Sequence, residues 1–159
     1  MKHKTQKEFE YTGFGFPIIL MNVPMIEVMG VWTPHINYNK LQKVLLLALI
    51  HKPIPLTGNE LRFIRKYFEL SMEAFGKLFG ITHAAVSKWE NRGDQILNTD
   101  INTERCLRLF IMDHLDVKDE DFRRIYKEVT VRNITESKKL DIEPFAFDAA
   151  KEELMAFGT

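Results

Sequence analysis

The chain has 159 residues, with 22 Lys and Arg against 22 Asp and Glu, and 45% of its residues are hydrophobic. This length allows one domain with a sizeable core plus an appendage, and the composition excludes wholesale disorder. A formal net charge of zero excludes a whole-chain attraction to a polyanion, so any electrostatic case for nucleic acid must be local.

Residues 1–56 carry six basic side chains against three acidic ones, 57–95 six against five, and 96–159 ten against fourteen. A polyanion-binding surface is therefore expected in the first two segments, with the acidic remainder left for contacts between subunits or with another protein. The single cysteine, Cys106, excludes an internal disulfide and a Cys-built zinc site, and points to a cytoplasmic location. It sits in an apolar helical pattern and reads as a buried structural thiol. The apolar stretch Phe16–Trp32 is broken by Pro17, Asn22, Pro24 and Glu27, and Leu45–Ile50 is far short of the roughly 20 residues of a membrane span. Met1–Glu10 is too charged to read as a signal peptide.

In chain order, Tyr11–Pro34 reads as two or three short strands, with Phe16–Met21 pairing Met25–Val31 across Asn22 and Pro24. From Asn39 to Ile50 the residues are good helix formers. Pro53 and Pro55 stop that helix and separate an N-terminal unit, residues 1–52, from the rest of the chain. Thr57, with Glu60 three residues on, has the spacing of a capping box for a helix over Gly58–Phe68. Ser71 caps Met72–Phe79 and Thr82 caps His83–Asn91, with Gly80 supplying the left-handed backbone between them. Thr103–Leu115 comes next as a helix with Leu107, Phe110, Ile111 and Leu115 at helical spacing, a candidate dimerisation element. Lys118–Val129 is a further helix. Residues 56–132 then form one domain and 133–159 a C-terminal extension, read as a docking arm or a frayed tail.

The segment Ser71–Glu90 matches what a tight helix pair requires. Gly76 is small where the helices approach most closely, and Phe75, Leu78, Phe79, Ile81, Val86 and Trp89 supply an apolar seam. With Gly76, Gly80, Val86, Trp89 and Glu90 in step, Leu56–Gly93 resembles the Cro/CI (XRE) helix-turn-helix family. The resemblance implies a mainly α fold: a Cro/CI-like five-helix DNA-binding domain with a small strand-containing N-terminal unit, α+β overall. It places base reading on His83, Ala84 and Lys88. Lys88 can donate to guanine, Ala84 can pack on a thymine methyl, and His83 can donate or accept a hydrogen bond. Thr82, Ser87, Asn91 and Arg92 fall where phosphates or neighbouring base edges would lie. The resemblance also implies that Arg65 pairs with Glu90 while its guanidinium faces the DNA backbone. Met72 stands where the family usually has Gln, so that backbone contact is lost or replaced.

As a whole, Asn22-Val-Pro24 succeeded by Leu56-Thr-Gly58 and the helix pair is similar in layout to MqsA-type antitoxins. That similarity implies an autorepressor of a toxin-antitoxin operon, holding a toxin through the N-terminal unit or the C-terminal tail. Val28–Val31 lies where a Cys pair would hold zinc in such proteins, and without cysteines no metal is expected. The expected partner is double-stranded DNA carrying an inverted repeat, bound by a homodimer.

Other signals are weaker. His3, His35, His51 and His114 lack ligand spacing, Gly13-Phe-Gly15 lacks the rest of a nucleotide fingerprint, and Asp116–Asp121 lacks a calcium loop's glycine. No catalytic set or cofactor site is found. The alternative function is a protein-interaction module that keeps the helix-turn-helix as a scaffold. An enzyme comes third.

Overall fold

The structure, a computed structural model, describes residues 2–115 and 144–156. The chain divides into two compact units, Met1–Ala48 with Ile142–Thr159, and Leu49–Asp141.

The first unit is built on a five-stranded mixed sheet. β1 (His3–Tyr11), β2 (Ile18–Val28), β4 (Phe145–Asp148) and β5 (Glu153–Ala156) lie in that order, and β3 (Val31–Pro34) also pairs with β2. β1 and β3 run antiparallel to β2, β4 runs parallel to it with Ile18 opposite Phe145, and β5 returns antiparallel to β4. β2 buries Ile18 and Leu20, then Val23 and Met25. The buried alternation therefore changes parity at Asn22, whose φ of +53° breaks the pleat there. Asn tolerates this left-handed region better than most residues, and the Asn22 amide is fixed by donating to Asp148 Oδ2 at 3.1 Å. Phe145 and Phe147 of β4, together with Leu41, Leu45, Leu46 and Ala48, complete the buried core of the unit. The latter four belong to α1 (Tyr38–Ile50), where the Asn37 carboxamide accepts the Lys40 N–H at 3.1 Å in the first turn.

This sheet corrects the expected fold class. A mainly α protein with a small strand-bearing unit is replaced by a five-stranded mixed sheet accompanied by five helices among the described residues. The correction has two causes. The charged segment His3–Tyr11, with Lys4, Lys7, Glu8 and Glu10, forms an edge strand, where charged side chains are tolerated and protect against further pairing. Residues 145–156, expected as part of an extension, supply β4 and β5, a pairing no local pattern announces.

The second unit holds α2 (Gly58–Tyr67), α3 (Met72–Phe79), α4 (His83–Glu90) and α5 (Ile101–Leu115). The Pro53–Pro55 stretch is no exposed linker, because Ile54, Pro55 and Leu56 are buried in this unit. One buried arginine ties down the chain from the end of α1 into this stretch: Arg108 donates from Nη1 to the oxygens of Ile50 and Lys52 at 3.0 and 2.6 Å, and from Nη2 to that of Ile54 at 2.8 Å. Glu104 pairs with Arg108 at 3.0 Å and accepts the Leu56 N–H at 2.9 Å. On α5, Leu107 and Ile111 are buried within the chain, and Phe110 packs among Phe68, Phe75 and Phe79. The expected dimerisation face is thus largely used internally. Cys106 is exposed rather than buried, because it falls on the outer side of the same helix. The expected helix over Lys118–Val129 lies outside the described residues, and the extension from 133 does so up to residue 143.

Candidate nucleic-acid interface

Each helix around the turn begins on its own side-chain cap. The Thr57 hydroxyl accepts the Glu60 N–H at 3.2 Å, and Glu60 Oε1 accepts the Thr57 N–H at 2.9 Å, closing the capping box. Glu60 also holds Lys52 Nζ at 2.6 Å, with both side chains buried. The Ser71 and Thr82 hydroxyls accept the N–H groups of Ala74 and Ala85, each at 3.1 Å, and so start α3 and α4. Gly80 ends α3 at φ +68° and ψ 30°, the left-handed cap that turns the chain into α4. A Cβ on Gly76 would stand 2.6 Å from the Ile81 carbonyl oxygen, so the turn closes only over a glycine.

The faces of α4 divide sharply. Val86 and Glu90 are buried, Trp89 is half-buried, and His83, Ala84, Lys88 and Asn91 are exposed with Ser87 half-buried between them. Positions 83, 84, 87, 88 and 91 follow the helical repeat and share one face, with the exposed cap Thr82 at its start. Arg92 lies just beyond and is partly committed, donating from Nε to the Ile96 oxygen at 2.7 Å. The structure therefore gathers most of the expected reading and backbone-contacting side chains in one strip.

The buried end of α4 is fastened to α2. Arg65 forms a two-pronged pair with Glu90, Nε to Oε2 at 2.7 Å and Nη2 to Oε1 at 2.9 Å, while its Nη1 donates to the Leu70 oxygen at 2.9 Å. Its side chain is only 12% exposed and that of Glu90 is 0% exposed. Arg62, to which no sequence signal drew attention, also reaches Glu90, Nε to Oε1 at 3.2 Å. The N-terminus of α2 takes the loop after α4: Gly58 and Asn59 donate their N–H groups to the carbonyls of Gln95 and Gly93, at 3.3 and 2.8 Å. A Cβ at Gly58 would lie 2.5 Å from the Trp89 oxygen, so α4 can rest on α2 only because this position is bare.

One seam residue is corrected. Leu78, expected between the helices, is exposed, whereas Phe75 and Phe79, four residues apart, pack together with tilted rings whose centroids are 4.8 Å apart. Position 78 sits beside that inward face, not on it. In the sheet unit, His3 and His35 come together edge to face at 6.4 Å, far apart though they are in sequence. A shallow cleft in the same unit is lined by His35, Asn37 and Glu152, the last paired with Lys40.

No protein-family model, no curated protein and no solved structure matches this chain.

Proposed function

We propose that the protein is a sequence-specific DNA-binding transcription regulator that reads the major groove with α4. One observation carries this reading: a helix capped by Thr82 presents His83, Ala84, Ser87, Lys88 and Asn91 along one face, while Val86 and Glu90 fasten the opposite face to its own unit. A helix held so firmly, with short polar and cationic side chains facing outward, suits the width of the major groove and its pattern of donors and acceptors. An eight-residue reading helix covers few base pairs, so the working unit is a homodimer on an inverted repeat. In this reading it acts as a repressor in the cytoplasm, and its sheet-bearing unit suits the role of an antitoxin-like arm that holds a second protein.

Gel-shift titration tests the proposal with the DNA upstream of the coding sequence, pooled genomic fragments, a random duplex and the Lys88→Ala variant. Tight binding to the upstream DNA, lost in the variant and weakening steeply with salt, is the expected outcome. Failure of wild-type protein to retain any genomic fragment would overturn it.

A second reading, a protein-interaction module, is favoured by the β2–β3 hairpin tip, where Val28, Met29 and Val31 are all exposed, Met29 to 99%. Binding through that tip would tolerate salt, whereas binding through α4 would not.

A further inference from the structure

Two guanidinium groups surround the single buried carboxylate of Glu90, and they are not equivalent. All three nitrogens of Arg65 are donors to partners fixed by the fold, two on Glu90 and one on the Leu70 oxygen, and the side chain is almost out of solvent. Arg62 meets Glu90 through Nε at 3.2 Å and its main-chain oxygen through Nη2 at a long 3.5 Å. Its side chain is 39% exposed. Two positive charges on one negative charge leave the group with an excess of one, and the exposed member carries it outward. Arg62 touches the main-chain oxygen of Glu90, the last residue of α4, so its half-exposed guanidinium lies at the C-terminal end of that helix.

We propose that Arg62 is a phosphate-binding residue of this protein and that Arg65, beside it, is a positioning residue that holds α4. The assignment rests on the proposed DNA-binding function and deepens it by naming which cation meets the backbone. A guanidinium steered by a carboxylate on one side and open to water on the other is already oriented to receive an anionic oxygen. Ordering it on arrival of DNA therefore costs little additional side-chain freedom. Arg65 has no comparable freedom, since turning towards a phosphate would strip a fully buried carboxylate of its closest partner.

The test uses the full chain and a labelled random-sequence duplex, because a phosphate contact does not depend on the operator. Affinity is followed by fluorescence anisotropy across salt for wild type, Arg62→Gln, Arg62→Lys and Arg65→Gln, with thermal melts of each. Loss of one phosphate contact lowers the slope of log affinity against log salt by about 0.9, so the advantage of wild type over Arg62→Gln should shrink about 3.5-fold between roughly 50 and 200 mM salt. Arg62→Lys should keep the wild-type slope. Arg65→Gln should melt lower than Arg62→Gln yet keep the full slope at a temperature where it is folded.

In parallel, the Nε–H resonance of Arg62 in labelled wild-type protein should shift on adding duplex while that of Arg65 does not, a readout that needs no variant to fold. If wild-type protein binds and neither the Arg62→Gln slope nor the Arg62 resonance changes, the assignment to Arg62 is wrong and the DNA reading stands. If wild-type protein binds no duplex at the lowest salt, the DNA reading itself fails and Arg62 falls with it.

Discussion

Replacing Arg65 by Ala tests whether α4 is held by its buried ion pair. The substitution removes three hydrogen bonds, at 2.7 and 2.9 Å to Glu90 and 2.9 Å to the Leu70 oxygen, and leaves a carboxylate of 0% exposure facing Arg62 alone. Stripping one partner from a buried pair costs about 3–5 kcal/mol, because the remaining charge is neither hydrated nor matched. Arg62 remains within 3.2 Å and offsets part of that, so the expected loss is about 2–4 kcal/mol. Arg62→Ala removes a half-exposed partner and should cost only about 1 kcal/mol or less. In urea titrations followed by far-UV circular dichroism, with a slope of about 1–3 kcal/mol per molar, a loss near 3 kcal/mol moves the midpoint down by about 1–3 M. Adding Glu90→Ala should recover part of the loss, with a coupling of about 0.5–3 kcal/mol in the double-mutant cycle. A cost for Arg65→Ala below about 1 kcal/mol, or one equal to that of Arg62→Ala, would mean that the buried pair does not hold α4.

Four further outcomes are expected. Lys88→Ala should lower discrimination at one base position by about 1–3 kcal/mol with little change in melting temperature, measured by competition among single-base operator variants. Gly58→Ala should destabilise the helical unit by about 1–3 kcal/mol and weaken DNA binding, since its Cβ would meet the Trp89 oxygen at 2.5 Å; unchanged thermal melting would contradict this. Met29→Asn should stabilise the sheet unit by roughly 0.5–1 kcal/mol in chemical unfolding, because Met29 and Gly30 have φ of +51° and +81° and Asn-Gly suits that turn. Asp148 is held below the ordinary carboxylate range, first by the Lys151 N–H and also by the Asn22 amide and the Ala150 N–H. Its folded-state value is lowered, so its contribution is present above the unfolded value of about 3.9 and disappears as pH falls through the folded one. Unfolding curves of wild type should therefore lose stability on acidification below about pH 4, and Asp148→Asn should lose less.

What could be read from the sequence was what acts over a few residues. Thr57 with Glu60, Ser71, Gly80 and Thr82 each make contacts within four positions, and α3 begins and ends where those residues imply. The Arg65–Glu90 pair came from family resemblance, and its geometry is present. Arg62 was invisible because nothing local distinguishes it; only the fold brings a second guanidinium to the same carboxylate. The sheet was mostly illegible for the same reason. β4 finds its parallel partner in β2 from the other end of the chain, and β1 carries too many charges to look like a strand in isolation. Leu78 and Cys106 fit apolar helical patterns, but a pattern does not say which residues at its margin point outward.

Whether α4 reads a particular DNA sequence is decided by selecting bound sites from fragmented genomic DNA and from a random duplex library, with wild-type and Lys88→Ala proteins side by side. Wild-type protein should enrich one inverted repeat with half-sites about one helical turn apart, and Lys88→Ala should lose preference at one position in each half-site. Recovery of no common sequence by wild-type protein, or of the same sequence with undiminished preference by the variant, would contradict it.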